Sequence, residues 1–174
     1  MIKMKHIAIT LSIAAVAVVL YGVTTMRNSA HEGKNVTWNS FDAGMQQASN
    51  QNKKVLIDVY TDWCTWCKKM DSDVYSDASV ADYLKKNFVT IRLNAESNES
   101  VHYKGQSYTA SGLAQAFGVN GYPTTIFLKE DGNPITSLPG YVDAGRFSNI
   151  LSYIADNRYV NTKFEDYLKE KGVN

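Results

Sequence analysis

Residues 55–70 read VLIDVYTDWCTWCKKM, and the rest of the chain is best read outward from them. Val55, Ile57 and Val59 fall on one face of an extended run, and Leu56, Asp58 and Tyr60 on the other. Both faces are largely apolar, which predicts a central strand covered on both sides. The strand ends at Thr61-Asp62, and TWCKKM (65–70) looks helical. Cys64 therefore sits where a strand hands over to a helix. A helix N-terminus carries partial positive charge and unpaired N–H groups. Both favour a thiolate over a thiol, so Cys64 is the candidate nucleophile. Cys67, one turn on, is placed to attack the mixed disulfide that Cys64 forms.

Other uses of the pair are weaker. The chain has two cysteines among 174 residues, too few for a disulfide-stapled scaffold or a Cys-rich zinc site. Its histidines, His6, His31 and His102, all lie far from the pair in sequence. Lys68 stands where a c-type haem motif needs histidine. A structural disulfide across so small a loop gains little chain entropy. Redox exchange is the preferred reading, with a metal site and an inert disulfide as the alternatives.

Asp58 lies six residues before Cys64 among apolar neighbours. Burial would raise its pKa and let it exchange a proton with Cys67, directly or through water. The alternative is a solvated strand-end carboxylate that ties down a loop. Pro123 follows Tyr122 after Gly118 and Gly121. From sequence alone a trans bond is favoured there.

Around this segment the expected order is helix, strand, helix, strand, helix, hairpin, helix. Residues 31–37 form a linker or early strand, and Ser40 caps a helix to about Ser49. A helix begins near Asp77 or Ser79, and FVTIRLN (88–94) is a β run. Residues 95–108 read as a loop or small insertion and 109–117 as a helix. TTIFLKEDGNPITSL is a hairpin turning at Asp131-Gly132-Asn133. Phe147, Ile150, Leu151 and Ile154 recur at helical spacing, and residues 158–174 hold one more short helix. The fold class is α/β, a mixed sheet with helices on both faces.

Length allows one domain plus a tail. A hydrophobic share of 44% and a charged share of 20% argue against a disordered or polytopic chain. The net charge of +1 offers no basic footprint for nucleic acid, so no nucleic-acid partner is expected. Residues 1–30 read as a signal peptide or membrane anchor. Lys3 and Lys5 precede seventeen uncharged residues, 7–23, and Arg27 closes the run. Cleavage after Ala30 and retention as an anchor are both open, and a lipoprotein anchor is excluded because no cysteine follows the run. Taking the three bases of residues 1–30 from 18 leaves 15 against 17 acids, a net of −2 for the exported part.

The quoted segment resembles the strand–active-site–helix unit of the thioredoxin superfamily, with Asp58, Trp63, Cys64 and Cys67 at matching places. Arg92 falls where thioredoxins often carry a lysine near the buried Asp. FGVNGYPTTIFL resembles the segment that holds the family's cis-proline, and Gly140 matches the glycine before the last helix. The resemblance covers about residues 36–157 and places a thioredoxin-like domain at 31–157. Two flanking stretches look most like exported thioredoxin-related proteins of the SoxW type. The active-site segment also resembles the C-terminal domain of membrane thiol:disulfide interchange reductases.

The resemblance implies a cis Pro123 facing the cysteines and a substrate groove lined by Trp63, Trp66, Tyr122 and Pro123. It implies that an extended client segment pairs with the Tyr122 backbone. Thr65-Trp66 departs from the usual Gly-Pro, so the family's redox potential does not transfer. Trp66 is either a contact for a partner or a lid packed on its neighbours.

The expectation is an exported, periplasmic thiol–disulfide oxidoreductase that reduces client disulfides through Cys64 and Cys67. It needs no cofactor beyond that redox-active disulfide. It is expected to be a monomer, recharged by a membrane reductant partner. A non-catalytic binding module and a disulfide donor or isomerase are the competing readings.

Overall fold

The structure is a computed structural model that describes residues 36–173. The expected signal or anchor, 1–30, and the linker up to residue 35 lie outside the described residues. Among the described residues, no helix is long and apolar enough to cross a membrane.

Strand β1 (Lys54–Tyr60) is the central element, as its two apolar faces predict. It pairs in parallel with β2 (Phe88–Asn94) and antiparallel with β5 (Thr124–Leu128). Strand β6 (Pro134–Pro139) closes the hairpin with β5, giving the order β2-β1-β5-β6. The turn is set by Gly132 at φ 80° and by the Lys129 N–H, which donates to the Asn133 carbonyl at 2.8 Å. Ahead of these elements, Asn39 forms a single parallel bridge to Ile91 on the outer side of β2.

Alternation along β1 sorts the core into two layers. Val55, Ile57 and Val59 pack with Phe41, Ala48, Ile91, Leu113 and Leu128. That layer is covered by α1 (Phe41–Gln51) and α4 (Ala110–Ala116). Leu56 packs on the other side with Met70, Leu84, Phe127, Phe147 and Leu151. That layer belongs to α2 (Thr65–Met70), α3 (Ala78–Asn87) and α5 (Ala144–Ala155). Helix α1 approaches β2 so closely that a Cβ at Gly44 would stand 2.3 Å from Ile91 Cγ1. Only glycine allows that contact.

Several boundaries differ from the expected ones. Ser40 occupies the cap position of α1, but its side chain makes no capping bond. Asp77, Thr109 and Asp143 do cap α3, α4 and α5 through their side chains. Helix α2 does not stop at Met70. It continues as a π-helical turn, Asp71–Tyr75, because burial of Val74 and Tyr75 draws this polar stretch onto the core.

Residues 95–108, expected as a loop or small insertion, hold all but the last residue of a two-stranded hairpin of β3 (Ser100–Tyr103) and β4 (Gln106–Thr109). Its turn holds Lys104 and Gly105 at φ 50° and 77°, the positive pair that a tight hairpin requires. The tail forms a 3-10 turn, Arg158–Val160, and α6 (Phe164–Glu170). Tyr167 of α6 is buried and donates a 2.8 Å hydrogen bond to Ser152 Oγ on α5.

Candidate active site

Cys64 is the N-cap of α2. The Cys67 N–H donates to Cys64 Sγ at 3.0 Å, so the sulfur receives an amide that a helix start leaves unpaired. Cys64 and Cys67 are joined as a disulfide, with Cα atoms 5.3 Å apart. Both are buried, each 4% exposed. Among the described residues, no group of His, Cys, Asp and Glu is arranged to hold a metal ion.

Asp58 is buried at 1% exposure on the face of β1 that packs against α2. Burial pushes its pKa from 3.8 up to about 6, against the pull of the Arg92 cation. Arg92, its partner across the parallel pair, donates from Nε to Asp58 Oδ2 at 3.1 Å. The same guanidinium donates from Nη2 to Asp71 on the π turn. Its Cζ lies over the Trp38 ring and over the Tyr60 ring, 4.9 Å from each centroid. Tyr75 adds a long 3.4 Å hydrogen bond to Asp58 Oδ1. The sequence pointed to Asp58 and Arg92, while Asp71, Trp38, Tyr60 and Tyr75 gave no local signal.

The Tyr122–Pro123 bond is cis, as the resemblance implied and the bare sequence did not. Pro123 is buried, and its carbonyl accepts the Gly140 N–H at 2.8 Å. Trp63 is 64% exposed and Trp66 56% exposed. Trp63 stands edge-on to Tyr122, with centroids 6.0 Å apart, and its Nε1 donates to Glu96 Oε1 at 2.8 Å. Trp66 leans on Tyr141 at 5.6 Å, a residue that sequence reasoning left out. Tyr141 lies in irregular chain between β6 and α5, where no periodicity marks it.

A thioredoxin-like domain matches residues 41–155, from the first residue of α1 to the last of α5. The chain belongs to the thioredoxin-like family. The Cys64–Cys67 disulfide lies inside that domain, which places the chain in the thioredoxin superfamily. This thioredoxin-like chain is similar to the thiol:disulfide interchange protein DsbD of Yersinia pestis, with 32% identity over 102 residues. That match covers 58% of the chain and 16% of the relative. The DsbD of Photorhabdus laumondii is 29% identical over 139 residues, covering 77% of the chain and 22% of the relative. The chain thus spans roughly a sixth to a fifth of the length of these interchange proteins. A thioredoxin-fold protein from Helicobacter pylori superposes with a TM-score of 0.59 at 25% identity. It covers 70% of this chain and 86% of its own.

Proposed function

We propose that this protein reduces disulfides of exported client proteins in the periplasm. What supports the reading above all is Cys64 Sγ at the start of α2, accepting the Cys67 amide 3.0 Å away, beside a strand that carries a buried carboxylate. In the reduced protein this setting favours a Cys64 thiolate.

The thiolate attacks one sulfur of the client disulfide. A Cys64–client bond forms, the client S–S bond breaks, and the released client thiolate takes a proton. Cys67 then gives up its proton, with Asp58 as acceptor, and attacks Cys64 Sγ. The mixed disulfide breaks and the second client thiolate leaves and is protonated. Two electrons have passed to the client, and Cys64–Cys67 is again a disulfide. Trp63, Trp66, Tyr122 and Pro123 form the groove in which the client segment lies, its backbone pairing with that of Tyr122.

Like the interchange proteins it resembles, the chain exchanges disulfides with protein partners. We assign it a membrane dithiol donor that restores the reduced pair, a monomeric state, and an export or anchor role for residues 1–30. The domain is taken as 31–157, with 158–174 as a helical tail.

The test is insulin reduction driven by dithiothreitol. The wild type should accelerate it and Cys64→Ser should not. A wild-type rate no faster than the mutant's would sink the proposal. The direction is tested separately by the equilibrium potential of the pair. A value well above the roughly −270 mV of thioredoxin would make the protein a disulfide donor instead.

A further inference from the structure

Among the described residues, the large apolar side chains left exposed are Trp63, Trp66, Val160 and Val173. Both tryptophans lie within two residues of Cys64. Exposed aromatic surface grouped at a reactive centre marks a contact site, since tryptophan supplies much contact area from few rotatable bonds.

Neither ring stands alone. Trp63 is braced by Tyr122 and by its hydrogen bond to Glu96. Trp66 is braced by Tyr141, and Tyr141 is tied down twice. Next to it, Gly140 at φ 85° donates its N–H to the Pro123 carbonyl. From the other side, the Tyr141 hydroxyl donates to Asp73 Oδ2 at 3.4 Å, and Lys69 Nζ lies 5.5 Å from the ring centroid. Lys69 and Asp73 form an ion pair on the helix and π turn that carry Cys67. Tyr141 therefore links the Pro123 segment to the cysteine helix. Rings held in this way lose little freedom when a partner covers them.

We infer that Trp66 and Tyr141 form a second aromatic wall beside the disulfide, and that this wall selects client segments with a large apolar residue next to the reacting cysteine. The inference rests on the oxidoreductase reading and adds a substrate class to it. The surface is continuous with the reactive pair, so its occupant is whatever delivers a sulfur to Cys64. Cys64 is only 4% exposed, so residues flanking the client cysteine must pass over the exposed rings to reach it. An apolar flank covers them, whereas a polar flank gains nothing from them and loses its own water.

The test uses two disulfide-bonded peptides that differ only in the residue beside one cysteine, leucine or serine. The fully reduced protein reacts with each under single-turnover conditions. The wild type should reduce the leucine peptide about tenfold faster, a preference modest enough for an open wall rather than a closed pocket. Tyr141→Ala and Trp66→Ala should each bring the ratio to about twofold or less, and Tyr141→Phe and Trp66→Phe should retain it. Val160→Ala, an exposed residue of the tail, should leave the ratio as in wild type. The ratio is taken within each variant, so a smaller folded fraction slows both peptides alike. Equal rates in the wild type, or a ratio that survives in both alanine variants, would overturn the inference and leave the oxidoreductase reading standing. Reduction of neither peptide would instead overturn that reading, and the inference with it.

Discussion

On one face of β1, Val55, Ile57 and Val59 are fully buried among aliphatic and aromatic side chains. On the other face Leu56 begins in the same way, but two residues on the pattern is broken by Asp58, as deeply buried and carrying a carboxylate. The first face bears only the cost of close packing. The second also bears the cost of a charge removed from water, held down by a single Arg92 cation. One strand thus separates apolar packing from a buried charge by the alternation of its side chains. Substitutions on the two faces should therefore differ in pH dependence, beyond any difference in size.

The largest effect is expected on the apolar face. Ile57→Ala removes a fully buried branched side chain between α1 and the sheet and should cost about 3 to 4 kcal/mol. Because the change lies in the apolar layer, on the face of β1 opposite Asp58, the loss should be the same at pH 4 and pH 8. Chemical denaturation at both values checks this. A loss that varied by more than about 1 kcal/mol between them would mean that the two faces are coupled.

Asp58→Asn should produce the opposite pattern. The folded-state pKa of Asp58 is raised from 3.8 to about 6, so the folded protein holds this proton more tightly than the unfolded chain does. The stability tied to the protonated form is complete below about pH 4 and is lost as the pH rises through about 6. That loss amounts to about 3 kcal/mol at pH 8, from a shift of roughly two units. Asparagine avoids it but gives up the ionic half of the Arg92 contact. The variant should match the wild type at pH 4 and exceed it by about 1 to 2 kcal/mol at pH 8. Its resolving step should be slower by about a hundredfold at neutral pH. Equal stability at pH 8 would mean that Asp58 is not held in a costly state.

These contrasts rest on features that differ in how clearly the sequence displays them. The central strand, the cysteine pair at a helix start and the β5–β6 hairpin were legible because each is a local pattern of alternation, spacing or turn chemistry. The β3–β4 hairpin was not legible because its strands are four residues long and only Val101 is buried in them, so no alternation emerges. Its Lys104-Gly105 turn was the one available signal. The π continuation of α2 was hidden because Asp71, Ser72 and Asp73 read as a helix end, while burial of Val74 and Tyr75 decides otherwise. Asp58 and Arg92 could be paired through family resemblance. The side chains around them left no trace in local spacing, for Tyr75 is 17 residues from Asp58 and Asp71 is 21 residues from Arg92. Tyr141 stayed hidden for the same reason.

The smallest effect, and the finest test of the contrast, belongs to Arg92→Lys. A lysine keeps the positive charge but offers one ammonium where arginine uses two nitrogens at once, Nε to Asp58 and Nη2 to Asp71. It also lacks the flat surface that lies over the Trp38 and Tyr60 rings. Losing the hydrogen bond to the carboxylate removes one of the two ways in which Arg92 lowers the pKa of Asp58, so that pKa should rise further above about 6. Because the charge remains, the rise should stay within about one unit and the loss of stability near 1 kcal/mol. The pH profile of the resolving step measures it, as the midpoint of the ionisation that switches the step on. An upward move of the midpoint in Arg92→Lys, and none in Ile57→Ala, would locate the tuning of Asp58 on its own face of the strand. Identical midpoints in all three proteins would place the titrating group elsewhere and leave Arg92 as a brace between β2 and the π turn.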